Sequence, residues 1–275
     1  MSKTWFITGA SSGLGLEMTE QLLARGDKVV GTARRLEALG DLKQQFEDRF
    51  TLAALDLTDL TSIRAAVDDA FGRLGRIDVV VQNAGYGLFG AGEEVSDAEI
   101  DRQLSTNLVG SIQLIRAVLP HLRRQGGGRI LQVTSEGGQV AYPNFSLYHA
   151  SKWGVEGFIE AVAQEVAPFG IDFIIAEPGA TETGFGANLV HAAPMAVYDD
   201  TPAGEIRQAI AGGSFVLKGD AKRTAAAMIA AADEAAPPLR LVLGSTAYAS
   251  ISQALARRLA ALEAQRAVAF SADRD

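Results

Sequence analysis

Along this chain, short runs of consecutive apolar residues alternate with longer stretches whose apolar positions recur every three or four residues. The runs are Thr4–Thr8, Lys28–Thr32, Thr51–Leu55, Asp78–Gln82, Arg129–Thr134, Asp172–Ala176 and Arg240–Leu243. They are rich in Val, Ile and Leu without polar alternation, the pattern of strands covered on both faces. Helical periodicity fills Leu14–Arg25, Leu36–Phe46, Thr61–Phe71, Asp97–Arg124 and Tyr148–Ala167. Ser96 with Glu99 reads as a capping box, and Gly26 and Gly170 stand where helices end. Strand–helix repetition implies right-handed crossovers and a doubly wound, mostly parallel α/β sheet of about seven strands with helices on both faces, a Rossmann-type fold.

No repeat, low-complexity linker or composition shift marks a domain boundary, so residues 1–275 read as one domain. The regular alternation breaks after Pro178. Residues 179–218, with an amphipathic Pro202–Leu217, read either as a substrate lid beyond the strand ends or as a solvated connection. Another helix is expected near Ala221–Glu234, and residues 246–275 form a C-terminal helix and tail.

Composition narrows the chemistry. The chain has 48% hydrophobic and 21% charged residues, the balance of an ordered globular protein. It contains no cysteine, which excludes thiol catalysis and cysteine-held zinc or iron–sulfur clusters. The three histidines, His121, His149 and His191, are too far apart in sequence for a helix-borne metal pair, so no metal is expected. A net charge of −8 argues against a nucleic-acid partner. The chain has no apolar run of membrane-spanning length and no signal-like start, so no membrane partner and a cytoplasmic location are expected.

Three segments carry candidate chemistry. The first strand runs into Thr8-Gly9-Ala10-Ser11-Ser12-Gly13-Leu14-Gly15 and then a helix, where glycines admit a pyrophosphate against the helix N-terminus. The bland alternative is a tight turn. The overlapping G-x-S-x-G match is not a hydrolase elbow, because only one strand precedes it and no histidine follows His191. A literal G-x-G-x-x-G at Gly85–Gly90 opens no helix and reads as a flexible loop. After the second strand, no acid stands between Lys28 and Arg35, and Arg34 occupies the place of a ribose-binding carboxylate. This favours NADP(H) over NAD(H), unless the arginines are merely solvated. Tyr148 and Lys152 share one helix face at i and i+4, and an ammonium beside a phenol lowers its pKa towards acid–base use. Ser135 ends the fifth strand within reach of that site.

Together these segments resemble a classical short-chain dehydrogenase/reductase over about residues 4–245, with its motifs in family order. Within the family they resemble the 17β-hydroxysteroid-dehydrogenase-like group, through Gly31–Arg34, Asn83–Gly90 and Pro238-Leu239-Arg240. Thr8–Gly15 matches T-G-x-x-x-G-x-G, Asp56 with Leu57 the adenine-side acid, and Asn83-Ala84-Gly85 the N-A-G turn. Pro178-Gly179-Ala180-Thr181-Glu182-Thr183 matches P-G-x-V-x-T. The resemblance implies a cofactor set of Gly9, Ser11, Ser12, Gly13, Leu14, Gly15, Arg34, Asp56, Leu57, Asn83, Ala84, Gly85, Tyr148, Lys152, Pro178, Gly179, Thr181 and Thr183. It implies a catalytic set of Asn107, Ser135, Tyr148 and Lys152, moving a hydride between nicotinamide and a ketone or secondary alcohol. Gln82, Glu136 and Thr181 depart from the usual residues, and Glu136 puts a carboxyl beside the substrate region. Two rivals share the fold: a nucleotide sensor without turnover, and a cofactor-retaining epimerase or dehydratase. Leu88, Phe89, Phe145, Phe185 and Met195 suggest a substrate with bulky apolar parts, or else belong to the core. Apolar residues around the helices Asp97–Arg124 and Tyr148–Ala167 suggest a homodimer or homotetramer, or else a broad internal stripe.

Overall fold

A computed structural model describes residues 2–213 and 217–274. Its centre is a sheet of strands β1 (Thr4–Thr8), β2 (Lys28–Ala33), β3 (Phe50–Ala54), β4 (Val79–Gln82), β5 (Gly128–Val133), β6 (Ile171–Pro178) and β7 (Arg240–Leu243). Every neighbouring pair is parallel, in the order β7-β6-β5-β4-β1-β2-β3. All seven expected strands are present within a few residues of their sequence-read ends.

The helices are α1 (Gly13–Arg25), α2 (Gly40–Gln45), α3 (Leu60–Leu74), α4 (Asp97–Leu104), α5 (Gly110–Arg124), α6 (Ser146–Val166), α7 (Pro202–Ala211), α8 (Ala221–Asp233), α9 (Ser245–Ala264) and α10 (Arg266–Phe270). On one face of the sheet Ile63 and Val67 of α3, Leu114 and Val118 of α5 and Val155 and Ile159 of α6 build one core. On the other, Met18, Leu22 and Leu23 of α1 meet Met228 and Ile229 of α8. Burial of these side chains supplies the main drive to fold.

The direction of winding, not of the strands, reverses between β1 and β4. From β1 the chain winds outward through β2 and β3, then returns to β4 on the other side of β1. The connections leaving the carboxyl ends of these two paired strands therefore run opposite ways, the arrangement that opens a crevice where α/β sheets bind ligands.

Several details differ from the sequence reading. The expected single helix Asp97–Arg124 contains a π-helical turn, Ser105–Val109. Gly110 explains where it falls: a Cβ there would collide with the Leu57 main-chain oxygen, so the helix closes tightly on the loop after β3. The expected helix Leu36–Phe46 is a 3-10 turn, Glu37–Leu39, followed by the short α2. The Ser96–Glu99 capping box forms, and Gly26 and Gly170 adopt left-handed conformations at helix ends. Val155, Ile159 and Val162 lie inside the core, so much of the apolar surplus on α6 is internal. Val109 and Trp153 remain exposed. Residues 214–216, within the expected amphipathic Pro202–Leu217, lie outside the described residues.

Residues 85–90 are not the flexible loop read from the sequence. Leu88 and Phe89 are buried and pair in parallel with Val190 and His191. A Cβ on Gly87 would collide with Leu189 and Phe185, and one on Gly90 with Ala192. These glycines thus admit residues 185–192 against the loop after β4, which explains the misleading glycine spacing.

Candidate active site

The turn after β1 is made by Gly9 and Gly13, whose φ angles of 66° and 54° disfavour any side chain. Gly15 lacks a Cβ for a different reason: one would collide with the Gly9 carbonyl and the Asn83 side chain. Asn83 Nδ2 donates to the carbonyls of Thr8 and Gly9, both at 3.1 Å, and Thr8 Oγ1 accepts from the N–H groups of Asn83 and Ala84, both at 3.0 Å. The N-A-G segment after β4 thereby locks the glycine turn after β1. Ser12 starts α1 with extended backbone and no side-chain cap, and the first turn of α1 holds no acid. Uncapped N–H groups beside a glycine cradle that cannot accept side chains fit an anionic pyrophosphate. Ser11 and Leu14, in the same turn, are half-buried.

The remaining expected cofactor residues line the same carboxyl edge. Arg34 follows β2 and is exposed. Hydrogen bonds from the Thr58 hydroxyl and N–H hold the Asp56 carboxyl below its usual range, and the Arg34 charge adds to them. Leu57 packs its side chain into the core, leaving its main chain for any ligand contact. Pro178 ends β6, and Gly179 packs against Thr246 and Ala247 of α9. Thr181 spends its hydroxyl on the Gly179 carbonyl at 2.9 Å. Thr183 lies against Gly13, closing the segment over the glycine turn.

Ser135, Tyr148 and Lys152 come together beside this crevice. Ser135 leaves β5 extended, its Oγ accepting the Gly137 N–H at 3.0 Å and hydrogen-bonding the Tyr148 hydroxyl. Tyr148 is pushed up to about 12, first by burial and then by the negative charges of Glu136 and Glu156, against the Ser135 hydrogen bond. Lys152 Nζ lies 5.5 Å from the Tyr148 ring centroid and donates to the Val133 carbonyl at 3.1 Å. Burial pulls Lys152 down to about 8, against the pull of Glu156. The expectation that the ammonium lowers the phenol is thus not met in this geometry: desolvation is the largest influence, and the Lys152 charge is not among those that oppose it.

Asn107 sits buried in the π-helical turn. Its side chain holds the main chain of Tyr86, accepting from the N–H at 3.2 Å and donating to the carbonyl at 2.7 Å. Its own carbonyl accepts from Ser111 Oγ at 3.0 Å. The π turn packs against α6, bringing this residue to the same side of the sheet as Tyr148 and Lys152.

Residues 179–213 dock over this region rather than running through solvent. Tyr148 is flanked by Phe145 and by Phe185 of the docked segment, at ring-centroid distances of 6.1 and 5.7 Å. Leu88 and Phe89 are core, while Phe185 and Met195 are exposed at the edge. Two anchors escaped the sequence reading. Glu94, with its side chain 1% exposed, accepts from Ala91 N and Met195 N at 2.7 Å each and from Arg207 at 2.6 Å. Asn144, the one described non-glycine residue with positive φ, donates to the Ala203 carbonyl at 2.7 Å. Pro143-Asn144 was a readable turn signal, whereas nothing local marks a glutamate whose partner lies over a hundred residues away.

A second missed cluster lies behind Lys152. Arg240 of β7 bonds Glu156 at 2.7 Å, Glu160 at 2.7 Å and Glu177, and Gln139 donates to both oxygens of Glu177. Among the described residues no group of acids and histidines could hold a metal ion, and no helix is long and apolar enough to cross a membrane.

Comparison with known proteins agrees with this geometry. The family model for short chain dehydrogenase matches residues 3–193. Oxidoreductase BOA17 of Botryotinia fuckeliana is 38% identical over 90% of this chain and 90% of its own length. Human 17-beta-hydroxysteroid dehydrogenase type 1 is 35% identical over 71% of this chain and 61% of its own length. The crystal structure of a short-chain dehydrogenase from Streptomyces avermitilis superposes with a TM-score of 0.91 at 39% identity, covering 99% of this chain and 98% of that one. A Burkholderia cenocepacia short chain dehydrogenase in complex with NADP (26% identity, TM-score 0.75, 96% of this chain and 97% of that one) is also similar. So is a 3-ketoacyl-(acyl-carrier-protein) reductase from Brucella melitensis complexed with NADH (27% identity, TM-score 0.73, 87% of this chain and 96% of that one). With its parallel sheet, glycine turn and Ser–Tyr–Lys grouping, this chain belongs to the short-chain dehydrogenase family of oxidoreductases.

Proposed function

We propose that the protein is an NADP(H)-dependent reductase of ketones, or in reverse a dehydrogenase of secondary alcohols, with Tyr148 as acid and base. The observation that carries this reading is the convergence of Ser135, Tyr148 and Lys152 beside the glycine turn. When bound, the nicotinamide cofactor supplies or accepts the hydride at the substrate's carbonyl carbon. Gly9–Gly15 and the α1 N-terminus would hold the pyrophosphate, with Asp56 and the main chain of Leu57 on the adenine side. Asn83–Gly85 and Pro178–Thr183 would flank the nicotinamide half.

Arg34 would take the ribose 2′-phosphate. Its exposure beside Asp56 and the lack of an acid after β2 support NADP(H) over NAD(H). Relatives of both cofactor types exist, so this choice rests on Arg34.

Ser135 would hold the substrate oxygen while Tyr148 gives it a proton. A phenol pushed up to about 12 keeps its proton at neutral pH, the state that reduction requires. Lys152 would hold the nicotinamide ribose and stabilise the phenolate left after transfer. Asn107 would organise the route by which the proton is replaced. Phe145 and Phe185 around Tyr148 favour a substrate with an apolar body under the lid formed by residues 179–213. We read the chain as one cytoplasmic catalytic domain that assembles as a homodimer or homotetramer, with Val109 and Trp153 as available apolar surface.

Purified protein should consume NADPH with a panel of ketones and secondary alcohols tested in both directions. Tyr148→Phe should lose at least about 100-fold in kcat, the usual worth of a positioned general acid, while its unfolding transition stays unchanged. Near-normal turnover in that variant would remove the proton-transfer role.

A further inference from the structure

The proposed reaction needs Ser135 and Tyr148 to face one substrate oxygen, yet they stand on different elements. Ser135 opens the 3-10 turn Glu136–Gly138 after β5, whereas Tyr148 and Lys152 belong to α6. Their spacing is therefore set by how that turn seats on that helix.

The seat is close. A Cβ on Gly138 would collide with the Glu156 carboxyl, and one on Gly137 with the His149 ring. Neither glycine has positive φ, so room for α6, not backbone conformation, is what the missing side chains provide. The Gly137 carbonyl also meets His149 Nδ1 at 2.9 Å. The turn thus touches α6 at the residue after Tyr148 and again one helical turn beyond Lys152. Glu156, almost fully buried, is pinned between the two.

Arg240 of β7 holds this seat from behind. Its Nη1 donates to Glu156 at 2.7 Å and also to Glu177 of β6. Glu177 is fully buried, and its two oxygens accept from Gln139 Nε2 at 2.9 and 2.8 Å. Gln139 closes the Ser135 turn, its N–H donating to the Glu136 carbonyl at 2.9 Å, while the Gly138 N–H donates to the Ser135 carbonyl at 2.9 Å. One guanidinium nitrogen therefore reaches the Lys152 helix through Glu156 and the Ser135 turn through Glu177 and Gln139. Nε and Nη2 go instead to Glu160, at 3.0 and 2.7 Å, on the exposed side of the cluster. A planar fork of fixed donors can hold these carboxylates in one geometry, which the point donor of a lysine cannot do.

We propose that Arg240 is a positioning residue: by clamping Glu156 and, through Glu177, Gln139, it fixes the distance between Ser135 and the Tyr148–Lys152 pair. This deepens the reductase reading given above and rests on it. Arg240 is placed to touch neither substrate nor cofactor, so its loss should be felt in turnover rather than in binding.

Arg240→Met and Arg240→Lys should each lower kcat about 10- to 100-fold, the cost of misplacing a reacting group by about 1 Å, with KM and NADPH affinity within about twofold. Arg240→Lys separates clamp from charge, because it keeps the charge and loses the fork; wild-type kcat in that variant would overturn the proposal. Gly138→Ala presses on the same seat from the turn side and should give the same kcat loss at unchanged KM. Glu160→Gln is the control, removing only the outer arm of the cluster, and should keep kcat near the wild-type value. An equal loss in Glu160→Gln would show that the cluster serves stability alone and overturn the proposal.

Hydrogen exchange on the cofactor-free protein reads the clamp without turnover. In both Arg240 variants the amides of Gly137, Gly138 and Gln139 should exchange at least about 10-fold faster, with those of Trp5 and Phe6 in β1 unchanged. Unchanged exchange at the turn, or exchange faster everywhere alike, would overturn the proposal. A wild type that reduces no ketone would refute the reductase reading, and the exchange result would then decide by itself whether Arg240 holds the turn.

Discussion

Lys152 offers a test of the site that needs neither substrate nor cofactor. Its ammonium is buried, makes one hydrogen bond, to the Val133 carbonyl at 3.1 Å, and is pulled from its ordinary 10.5 to about 8. That displacement corresponds to roughly 3 kcal/mol in favour of unfolding wherever the lysine is charged in both states. Lys152→Met keeps the stem and deletes the charge, at the cost of one hydrogen bond worth about 1 kcal/mol. The variant should therefore be more stable than the wild type by roughly 2 kcal/mol at about pH 7. The sign of the pH dependence follows from the depressed value. Between about 8 and 10.5 the unfolded chain binds the extra proton, so wild-type stability rises with pH across that window. The advantage of the methionine variant should shrink to near zero by about pH 10. Urea unfolding of both proteins, without cofactor, at several pH values measures this directly. A variant less stable at neutral pH, or a difference flat with pH, would refute the claim that this ammonium is held against its own solvation. Turnover should collapse in the same variant, which would make Lys152 a group kept for function at the expense of stability.

Two further substitutions probe the edges of the site. Arg34→Ser should weaken NADPH binding by about 10- to 100-fold and NADH binding little, because only NADPH carries the 2′-phosphate; equal losses in calorimetric titrations would remove that contact. Glu94→Gln should loosen residues 185–213 without changing the global unfolding transition, seen as faster limited proteolysis near Ala187 and a raised KM at similar kcat. Burial pushes the Glu94 carboxyl up, but the Met195, Ala91 and Arg207 hydrogen bonds outweigh it and leave its pKa lowered. The latch should therefore be complete above the ordinary value of 4.5 and fail as pH falls through the lowered one. Unchanged cleavage in Glu94→Gln would exclude the latch.

What was legible in the chain was what local rules determine. Continuous Val/Ile/Leu runs place the strands, and Ser96 with Glu99 marks a helix start. The Gly9–Gly15 spacing and the Tyr148–Lys152 pair are read within one turn. The misses involve pairings between distant segments. The π turn at Ser105–Val109 depends on how closely Gly110 meets the Leu57 carbonyl. The lid was ambiguous because its anchors, Glu94 with Arg207 and Asn144 with Ala203, carry no periodic signal. Gly87 and Gly90 misled because a glycine making room for a side chain looks the same as one making room for a phosphate. The direction of the Tyr148 and Lys152 shifts needed burial as well as spacing, since a charge one helical turn away competes with desolvation that only the packed fold reveals.

The electrostatics of the site extend beyond the segment that the family model matches. Tyr148, Lys152, Glu156 and Glu160 stand one helical turn apart down a single face of α6. The lower two are carboxylates, and Glu156 is almost fully buried, as is Glu177 on β6. Uncompensated, two buried negative charges below Tyr148 would push its phenol still higher and pull a proton onto one of the acids. Arg240 opposes this, although burial still leaves the Glu156 carboxyl above its usual range. Burial alone would lower the arginine's pKa, but its bonds to Glu156 and Glu160 and the charge of Glu177 outweigh that and keep the guanidinium firmly charged. The arginine comes from β7, the last strand to join the sheet, well after residue 193 where the family match ends. The final strand thus closes the sheet edge and also supplies the counter-charge that lets an acid-rich helix carry a buried lysine and a protonated tyrosine at its other end.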